Sequence, residues 1–152
     1  MIGIDELRAE LLATELPDGE FRIEGYESWL FTDCTAATPD VRSALAPGTA
    51  HPMLMFVAGM RGVGYTVEGL FALAHCAMED GPMIAGTDVR QLRGLRVGET
   101  VTVSSRITAV DRKSGRSGTF DLLTVEHGIT AADGEPVGTL VDTLMCPRGG
   151  AR

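Results

Sequence analysis

Apolar residues in the first half of the chain recur at helical spacing or form unbroken runs. Residues 4–14 place four aliphatic side chains close to one helical face, and a Pro-Asp-Gly turn follows them. Residues 53–60 are apolar at nearly every position and follow Pro52, which suits the first turn of a helix. A helix that is apolar all round is predicted to be buried. A second helix is predicted over residues 66–78.

The second half of the chain alternates apolar and polar residues, which is the pattern of half-buried strands. Residues 100–112 alternate most clearly, with Val101, Val103 and Ile107 on one face. An Asp-Gly pair at Asp133 is a strong hairpin signal. Further strands are predicted over residues 84–95, 119–131 and 135–146. The second half is therefore expected to form an antiparallel meander.

Residues 20–32 are rich in aromatic side chains and are predicted as a strand bent at Gly25, followed by a loop over 33–47. The order of elements then favours an α+β domain in which the sheet wraps the buried helix. Gly59 inside that helix costs about 1 kcal/mol relative to alanine, which indicates a close approach of the sheet. The far face or the edges of the sheet remain for a partner subunit.

Composition narrows the classes of function. The 152 residues, enough for one domain, carry 13 basic and 21 acidic side chains, a net charge of −8. A chain this acidic is not expected to bind nucleic acid or anionic membrane surfaces. It has no apolar run near the roughly 20 residues of a membrane span. Its start lacks the basic region of a signal peptide, so a cytoplasmic location is expected.

The inventory of reactive side chains is small. The chain has three cysteines and three histidines, far apart in sequence and in no spacing typical of metal ligands. We therefore expect reduced thiols, no metal and no cofactor. His75 is expected to be a packed or surface residue, and His127 a surface or interface residue. Cys76 is expected to be structural.

Two motifs resemble a known family. Thr49–Leu54 (TAHPML) looks like the A-H-G-M-L start of the central helix in MaoC-like enoyl hydratases and dehydratases, and Arg93–Val101 looks like their R-P-L-R-V-G-D-x-V strand entry. The hairpins at Asp111–Gly118 and Asp133–Val137 match the FAS1-type dehydratase branch. The resemblance implies a hotdog fold, a curved antiparallel sheet around one helix, with its core at about residues 20–148. It also implies a thioester substrate on CoA or an acyl carrier protein.

The chain departs from that family at the catalytic dyad. MaoC-like hydratases carry an aspartate and a histidine in a D-x-N-P-x-H loop before the helix, whereas the matching segment here is Asp33–Asp40. The sequence contains no histidine before His51. The helix also lacks the acidic residue of other hotdog thioesterases. Asp33 and Asp40 remain candidates for a site whose usual pair is missing.

His51 is the strongest candidate catalytic residue. An imidazole just before a buried helix can act as a general base, because its ordinary pKa lies near neutral pH. The backbone N–H groups of Met53 and Leu54, at the positive end of the helix, are predicted to bind an oxyanion. The alternative is a histidine that only caps or packs against the helix start.

The arrangement of a histidine in the loop before a helix that has no acidic residue is similar to that of the dual-function thioesterases of actinobacterial macrolactam and isonitrile pathways. These enzymes add glycine to an α,β-unsaturated acyl thioester and then hydrolyse the thioester. The resemblance implies that residues 45–53 bind the glycine moiety, with His51 as the base. Gly48, Thr49 and Pro52 are then substrate-binding residues.

Tyr65 and Glu68 complete the predicted substrate site. Glu68 follows Tyr65 closely at the start of the second helix, and a carboxylate over the pocket can orient water; the alternative is an exposed, solvated side chain.

Three functions remain open. The first is a homodimeric thioesterase, with or without conjugate addition of an amine such as glycine. The second is a MaoC-like 3-hydroxyacyl dehydratase or enoyl hydratase. The third is a non-catalytic acyl-binding hotdog module or a subunit of a heterodimer.

Overall fold

The computed structural model describes residues 2–35, 47–116 and 118–149. The helices are α1 (Ile4–Leu12), α2 (Gly25–Cys34), α3 (Met53–Arg61) and α4 (Val67–Leu73), with a short 3-10 helix at Met78–Asp80. The strands are β1 (Gly19–Arg22), β2 (Met83–Gln91), β3 (Thr100–Gly115), β4 (Gly118–Ala131) and β5 (Pro136–Pro147).

The strands form one antiparallel sheet in the order β1-β3-β4-β5-β2. The meander β3-β4-β5 forms its centre, as the alternating sequence predicted, and β1 and β2 are its edges. The predicted meander also included β2, which is wrong, because β2 pairs with β5 and not with the next strand along the chain. Because side chains alternate along a strand, one face of each central strand is buried almost throughout. The α+β class and the hotdog arrangement expected from the sequence are confirmed.

Helix α3 packs against the inner face of this sheet. Leu54, Met55 and Ala58 are fully buried, but Met53 is 42% exposed and Phe56, Val57 and Met60 are only partly buried. The prediction of a helix buried on all sides is therefore wrong for the face turned away from the sheet. A Cβ atom added at Gly59 would overlap the side chain of Leu140 on β5. Glycine is therefore required where the helix and the sheet come closest, which confirms the close approach inferred from the sequence.

A second group of buried side chains joins α1 and α4 to the other half of the sheet. Leu7 and Leu11 of α1 are fully buried and pack in one cluster with Phe71, Val110 and Leu123. The hydrophobic core thus includes residues N-terminal to residue 20, which lie outside the stretch of about 20–148 covered by the family resemblance.

The strand predicted over residues 20–32 is wrong beyond Arg22. Only Gly19–Arg22 pairs with β3, and the chain forms α2 from Gly25 onward. A short run of apolar and aromatic residues fits a helix and a strand equally well, so periodicity alone did not decide it. The predicted second helix is also shorter and ends at Leu73. The predicted loop over 33–47 lies mostly outside the described residues.

Among the described residues, the structure contains no helix that is long and apolar enough to cross a membrane.

Candidate functional site

His51 is anchored beside α2, just before α3 begins. Its backbone N–H donates a hydrogen bond of 2.8 Å to the hydroxyl of Ser28, which is buried on α2. Its ring stacks on Phe31 of the same helix, with 5.8 Å between ring centroids and 17° between planes. The ring stays partly exposed. Helix α2, which the sequence prediction missed, therefore fixes both the backbone and the ring of His51.

The ring of His51 also caps α3. Its Nδ1 atom accepts a hydrogen bond of 3.2 Å from the backbone N–H of Met53. A neutral imidazole has one N–H and one lone-pair nitrogen, so this contact places the proton on Nε2. The neutral ring then offers its surroundings a donor, Nε2–H. The lone pair needed for the predicted general base is already used inside the protein.

The two predicted oxyanion donors are also engaged. The N–H of Met53 donates to His51 Nδ1, and the N–H of Leu54 donates to the His51 carbonyl oxygen at 2.9 Å. In this structure neither amide is a free donor at the start of α3. The capping alternative for His51 accounts for this geometry.

The loop before His51 is joined to the segment that precedes β3. Ala50 N–H donates to the Leu95 carbonyl at 2.7 Å, and Val97 N–H donates to the Gly48 carbonyl at 2.8 Å. Thr49 forms an isolated bridge with Arg96. Gly48, with φ of +80°, turns the chain here, and Pro52 stands exposed before α3. These predicted substrate-binding residues position His51.

The remaining candidates do not meet at His51. Tyr65 and Glu68 follow the far end of α3, and nine helical residues at about 1.5 Å each span roughly 13 Å. Glu68 is exposed, which agrees with the alternative of a solvated side chain. Asp33 lies exposed in the last turn of α2, and Asp40 is outside the described residues.

A buried polar cluster that the sequence analysis missed lies on the inner face of the sheet. It consists of the buried residues Ser105, His127 and Asp142 and the partly buried Thr87. His127 was expected at the surface or at an interface; within the chain it is 3% exposed, so the surface expectation was wrong. Ser105 Oγ lies 2.9 Å from His127 Nδ1, and His127 Nε2 lies 3.3 Å from Asp142 Oδ2. Thr87 donates to the other oxygen of Asp142 at 2.5 Å.

The register of the sheet assembles this polar cluster. Ser105 is directly opposite His127, and Thr87 is directly opposite Asp142. His127 pairs with Leu140, two residues before Asp142 on the same face. One signal was available in the sequence: these polar residues follow the two-residue spacing of the buried face. Their meeting depends on the register, which the sequence did not supply.

A cavity borders the polar cluster at the far end of α3. Its volume is about 80 Å³, and Tyr65, His127 and Asp142 line it among otherwise apolar residues or glycine. The Tyr65 hydroxyl is buried and makes no hydrogen bond of ordinary length among the described residues, although the Ser105 hydroxyl lies close to it. Burial raises the pKa of Tyr65, the neighbouring Ser105 hydroxyl opposes this, and the charge of Asp142 adds to it.

An apolar groove of about 410 Å³ runs between α2 and α3 on the side of His51. Phe31, which stacks on His51, lines the groove together with Leu30 and Val57. Arg61 lies in the same groove and forms an ion pair of 2.7 Å with Glu27. The groove therefore combines apolar walls with one paired cation.

No group of three or more potential metal ligands comes together in the part of the chain that the structure describes.

Comparison with protein families gives a match over most of the chain. A family model described as "FAS1-like, dehydratase domain region" matches residues 31–140. The chain belongs to this FAS1-like dehydratase family. A search of curated protein sequences found no match.

Solved structures place this FAS1-like dehydratase domain among hotdog proteins. The ChsH1-ChsH2 complex from Mycobacterium tuberculosis matches with a TM-score of 0.72 and 17% identity, over 98% of this chain and 93% of that one. A MaoC-like dehydratase from Rhodospirillum rubrum matches with a TM-score of 0.61 and 14% identity, over 91% of this chain and 95% of that one. A thioesterase from Thermus thermophilus, complexed with coenzyme A and zinc, matches with a TM-score of 0.52 and 19% identity, over 90% of this chain and 88% of that one.

The strand-entry motif of the FAS1-like dehydratase domain has a structural role here. The guanidinium of Arg93 makes two hydrogen bonds of 2.9–3.0 Å to Glu99 and a third of 2.9 Å to Glu135. Glu99 also accepts the N–H of Arg96. These contacts fix the turn before β3, against which the His51 loop is bonded.

Proposed function

We propose that the chain is an acyl-thioester-binding subunit of a hydratase or dehydratase, with the acid–base pair supplied by a partner hotdog chain. The observation that carries this proposal is the hydrogen bond from Met53 N–H to His51 Nδ1. It leaves His51 a donor in its neutral form, and the sequence holds no histidine in the segment where the family carries its dyad. Thioester binding by this chain is thus better supported than acid–base catalysis by this chain alone.

His51 and the groove between α2 and α3 form the proposed thioester site. In this proposal the Nε2–H of His51 donates to the thioester carbonyl, and the acyl chain occupies the apolar groove. Phe31 connects the two, because it stacks on His51 and lines the groove. Small-molecule binding sites typically have apolar walls and a small number of polar groups.

The free edge of the sheet supports the need for a partner. Among the described residues, strand β2 pairs only with β5, and its residues are exposed almost throughout. Met83, Ile84 and Val89 on this edge are between 44% and 52% exposed. Unpaired edges with apolar side chains are sites of strand pairing. One similar structure is itself a complex of two named chains, ChsH1 and ChsH2.

The test uses the pure protein with a medium-chain enoyl-CoA, with and without glycine. Calorimetry measures binding, free-thiol release measures hydrolysis, and mass spectrometry measures addition of water or glycine. We expect binding without turnover. His51→Ala should weaken binding about tenfold, the loss of roughly 1.4 kcal/mol for one hydrogen bond and a stacked ring. His75→Ala is the matched control, because His75 is exposed and contacts Glu10 instead.

Each form of turnover identifies an alternative. Thiol release that disappears in His51→Ala makes the protein a thioesterase, and a glycine adduct adds conjugate addition. This second candidate is favoured by the partial exposure of the His51 ring beside the groove. Gain of one water with the thioester intact makes the chain a hydratase by itself. Absence of both binding and turnover refutes the proposed thioester site.

A further inference from the structure

Two of the three cysteines lie together in the core, away from the proposed thioester site. Cys76 follows α4 and is 3% exposed, and Cys146 lies on β5 and is fully buried. Both belong to the core cluster around α1 and α4, whereas the buried side chains of α3 belong to a different cluster. Both are free thiols in the structure.

The contacts of Arg148 bring the two cysteine segments together. Arg148 lies two residues after Cys146 and donates to the carbonyl oxygens of Ala74 and His75, the two residues before Cys76. The two thiol groups are close enough to affect each other directly, with Cys146 as the hydrogen-bond donor and the Cys76 sulfur as the acceptor. Each sulfur therefore faces the other inside the core.

The two thiols differ in how readily they ionise. Burial raises the pKa of both, that of Cys146 to about 12. For Cys76, the hydrogen bond from Cys146 and the positive charge of Arg148 oppose this rise in pKa. The thiolate is the nucleophile in thiol–disulfide exchange. Cys76 is therefore expected to react first, and Cys146 to react second with the modified Cys76.

We propose that Cys76 and Cys146 are a redox-sensitive pair, which a low-molecular-weight disulfide such as oxidised glutathione converts into a disulfide bond. The Cys76 thiolate attacks one sulfur of the reagent, so that a mixed disulfide forms and one glutathione thiolate leaves. The Cys146 thiolate then attacks the Cys76 sulfur and displaces the second glutathione thiolate. Two electrons pass from the protein to the reagent, and the two protons of the protein thiols end on the two glutathione thiols.

The disulfide joins the end of α4 to β5. Arg148 already holds the same two segments together, so the bond reinforces a contact of the reduced protein. A cross-link between residues 76 and 146 closes a long loop, and such a cross-link removes much conformational entropy from the unfolded chain. Oxidation is therefore expected to stabilise the fold. Because both thiols are buried, the reaction requires a brief local opening at the end of α4, which makes it slow.

The test uses the full chain with Cys34→Ser, because Cys34 is exposed and its thiol can link one molecule to another. The folded protein is incubated with oxidised glutathione, and its intact mass is followed over time. Trypsin cleaves after arginine and lysine, which leaves Cys76 in the peptide of residues 62–90 and Cys146 in that of residues 117–148. We expect a mass loss of two hydrogen atoms and a covalent link between these two peptides.

The oxidised protein should unfold at a higher urea concentration than the reduced protein, and dithiothreitol should reverse this shift. Two further variants test the order of reaction in the same Cys34→Ser protein. Cys146→Ala leaves Cys76 alone and should gain the mass of one glutathione. Cys76→Ala leaves the fully buried Cys146 and should gain this mass at least about tenfold more slowly.

Three results overturn the proposal. Protein that stays reduced in every urea concentration below its unfolding midpoint has thiols that only pack as small apolar side chains. A mixed disulfide at Cys76 that never gives the cross-link shows that Cys146 does not reach it. A cross-link that lowers the unfolding midpoint shows that the bond distorts the fold. None of these measurements involves thioester binding at His51, so their outcome is independent of the function proposed above.

Discussion

Arg148 and Asp121 form a buried ion pair, with 2.6 Å between Arg148 Nε and Asp121 Oδ2. Arg112 binds the other oxygen of Asp121 at 2.7 Å. Arg148 also donates to the carbonyl oxygens of Ala74 and His75, just after α4. Through its one guanidinium group, Arg148, which follows β5, is therefore bonded both to Asp121 of β4 and to the end of α4. This places α4, which carries part of the cavity wall, firmly against the sheet.

Asp121→Asn should destabilise the protein by about 3 kcal/mol or more, because it leaves two guanidinium groups without their buried counter-charge. Urea unfolding followed by circular dichroism measures this. Glu126→Gln is the control, since the Arg106–Glu126 pair lies at the surface and should contribute less than about 1 kcal/mol. Similar losses in the two variants would contradict a structural role for Asp121.

The same carboxylate predicts loss of stability in acid. Burial acts to raise the pKa of Asp121, but the hydrogen bonds and charges of Arg112 and Arg148 hold it below its ordinary value. A lowered pKa in the folded state stabilises the protein above the unfolded pKa of about 3.9. That stability is lost as the pH falls from there toward the folded pKa. The unfolding free energy should therefore fall below about pH 4, and it should fall less steeply in Asp121→Asn.

The sequence predicted those parts of the fold that depend on local pattern. The alternation of β3, β4 and β5 and the apolar run of α3 are each visible within about a dozen residues. Gly59 indicated the close approach that Leu140 confirms. Helix α2 was missed because its apolar and aromatic residues carry no clear period. Because α2 was missed, the contacts that hold the backbone and the ring of His51 were missed too.

The site was less predictable because it depends on contacts between distant residues. The two-residue spacing of Val125 and Ile129 puts His127 on their face, but its meeting with Ser105 depends on the register between strands. The role of His51 depends on which of its nitrogens meets the N–H of Met53, which no spacing reveals. The sequence singled out His51 at the helix start as a general base; this role stays a prediction, and its hydrogen bond with Met53 disfavours it.

Gly59→Ala should destabilise the protein by about 1–3 kcal/mol, although alanine favours helices by about 1 kcal/mol over glycine. The added methyl group would overlap the side chain of Leu140. Leu140→Ala alone should cost about 2–5 kcal/mol. In the double variant the new space accommodates the methyl group, so the loss should be smaller than the sum of the two single losses. Additive losses, measured by urea unfolding, would show that the two residues do not compete for space.

The exposed edge of β2 predicts self-association of the pure chain when no other partner is present. Val89→Lys places a charge on this edge and should convert a dimer into a monomer in light scattering after size exclusion. Leu12→Lys on α1 is the matched control, because Leu12 and Val89 are both 47% exposed. A dimer that survives Val89→Lys, or dissociates equally in the control, would place the interface elsewhere.

The tautomer of His51 decides between the two candidate functions of its site. Since Nδ1 accepts from Met53 N–H, the neutral ring should carry its proton on Nε2. Long-range ¹H–¹⁵N correlations in ¹⁵N-histidine protein, recorded at a pH where the rings are neutral, measure this directly. His51→Ala assigns the signal, and His75, exposed beside Glu10, is the internal comparison.

A proton on Nδ1 would free the lone pair of Nε2 for a general base and would restore the thioesterase as the leading function. A proton on Nε2 supports a donor to the thioester carbonyl and leaves the acid–base step to a partner chain.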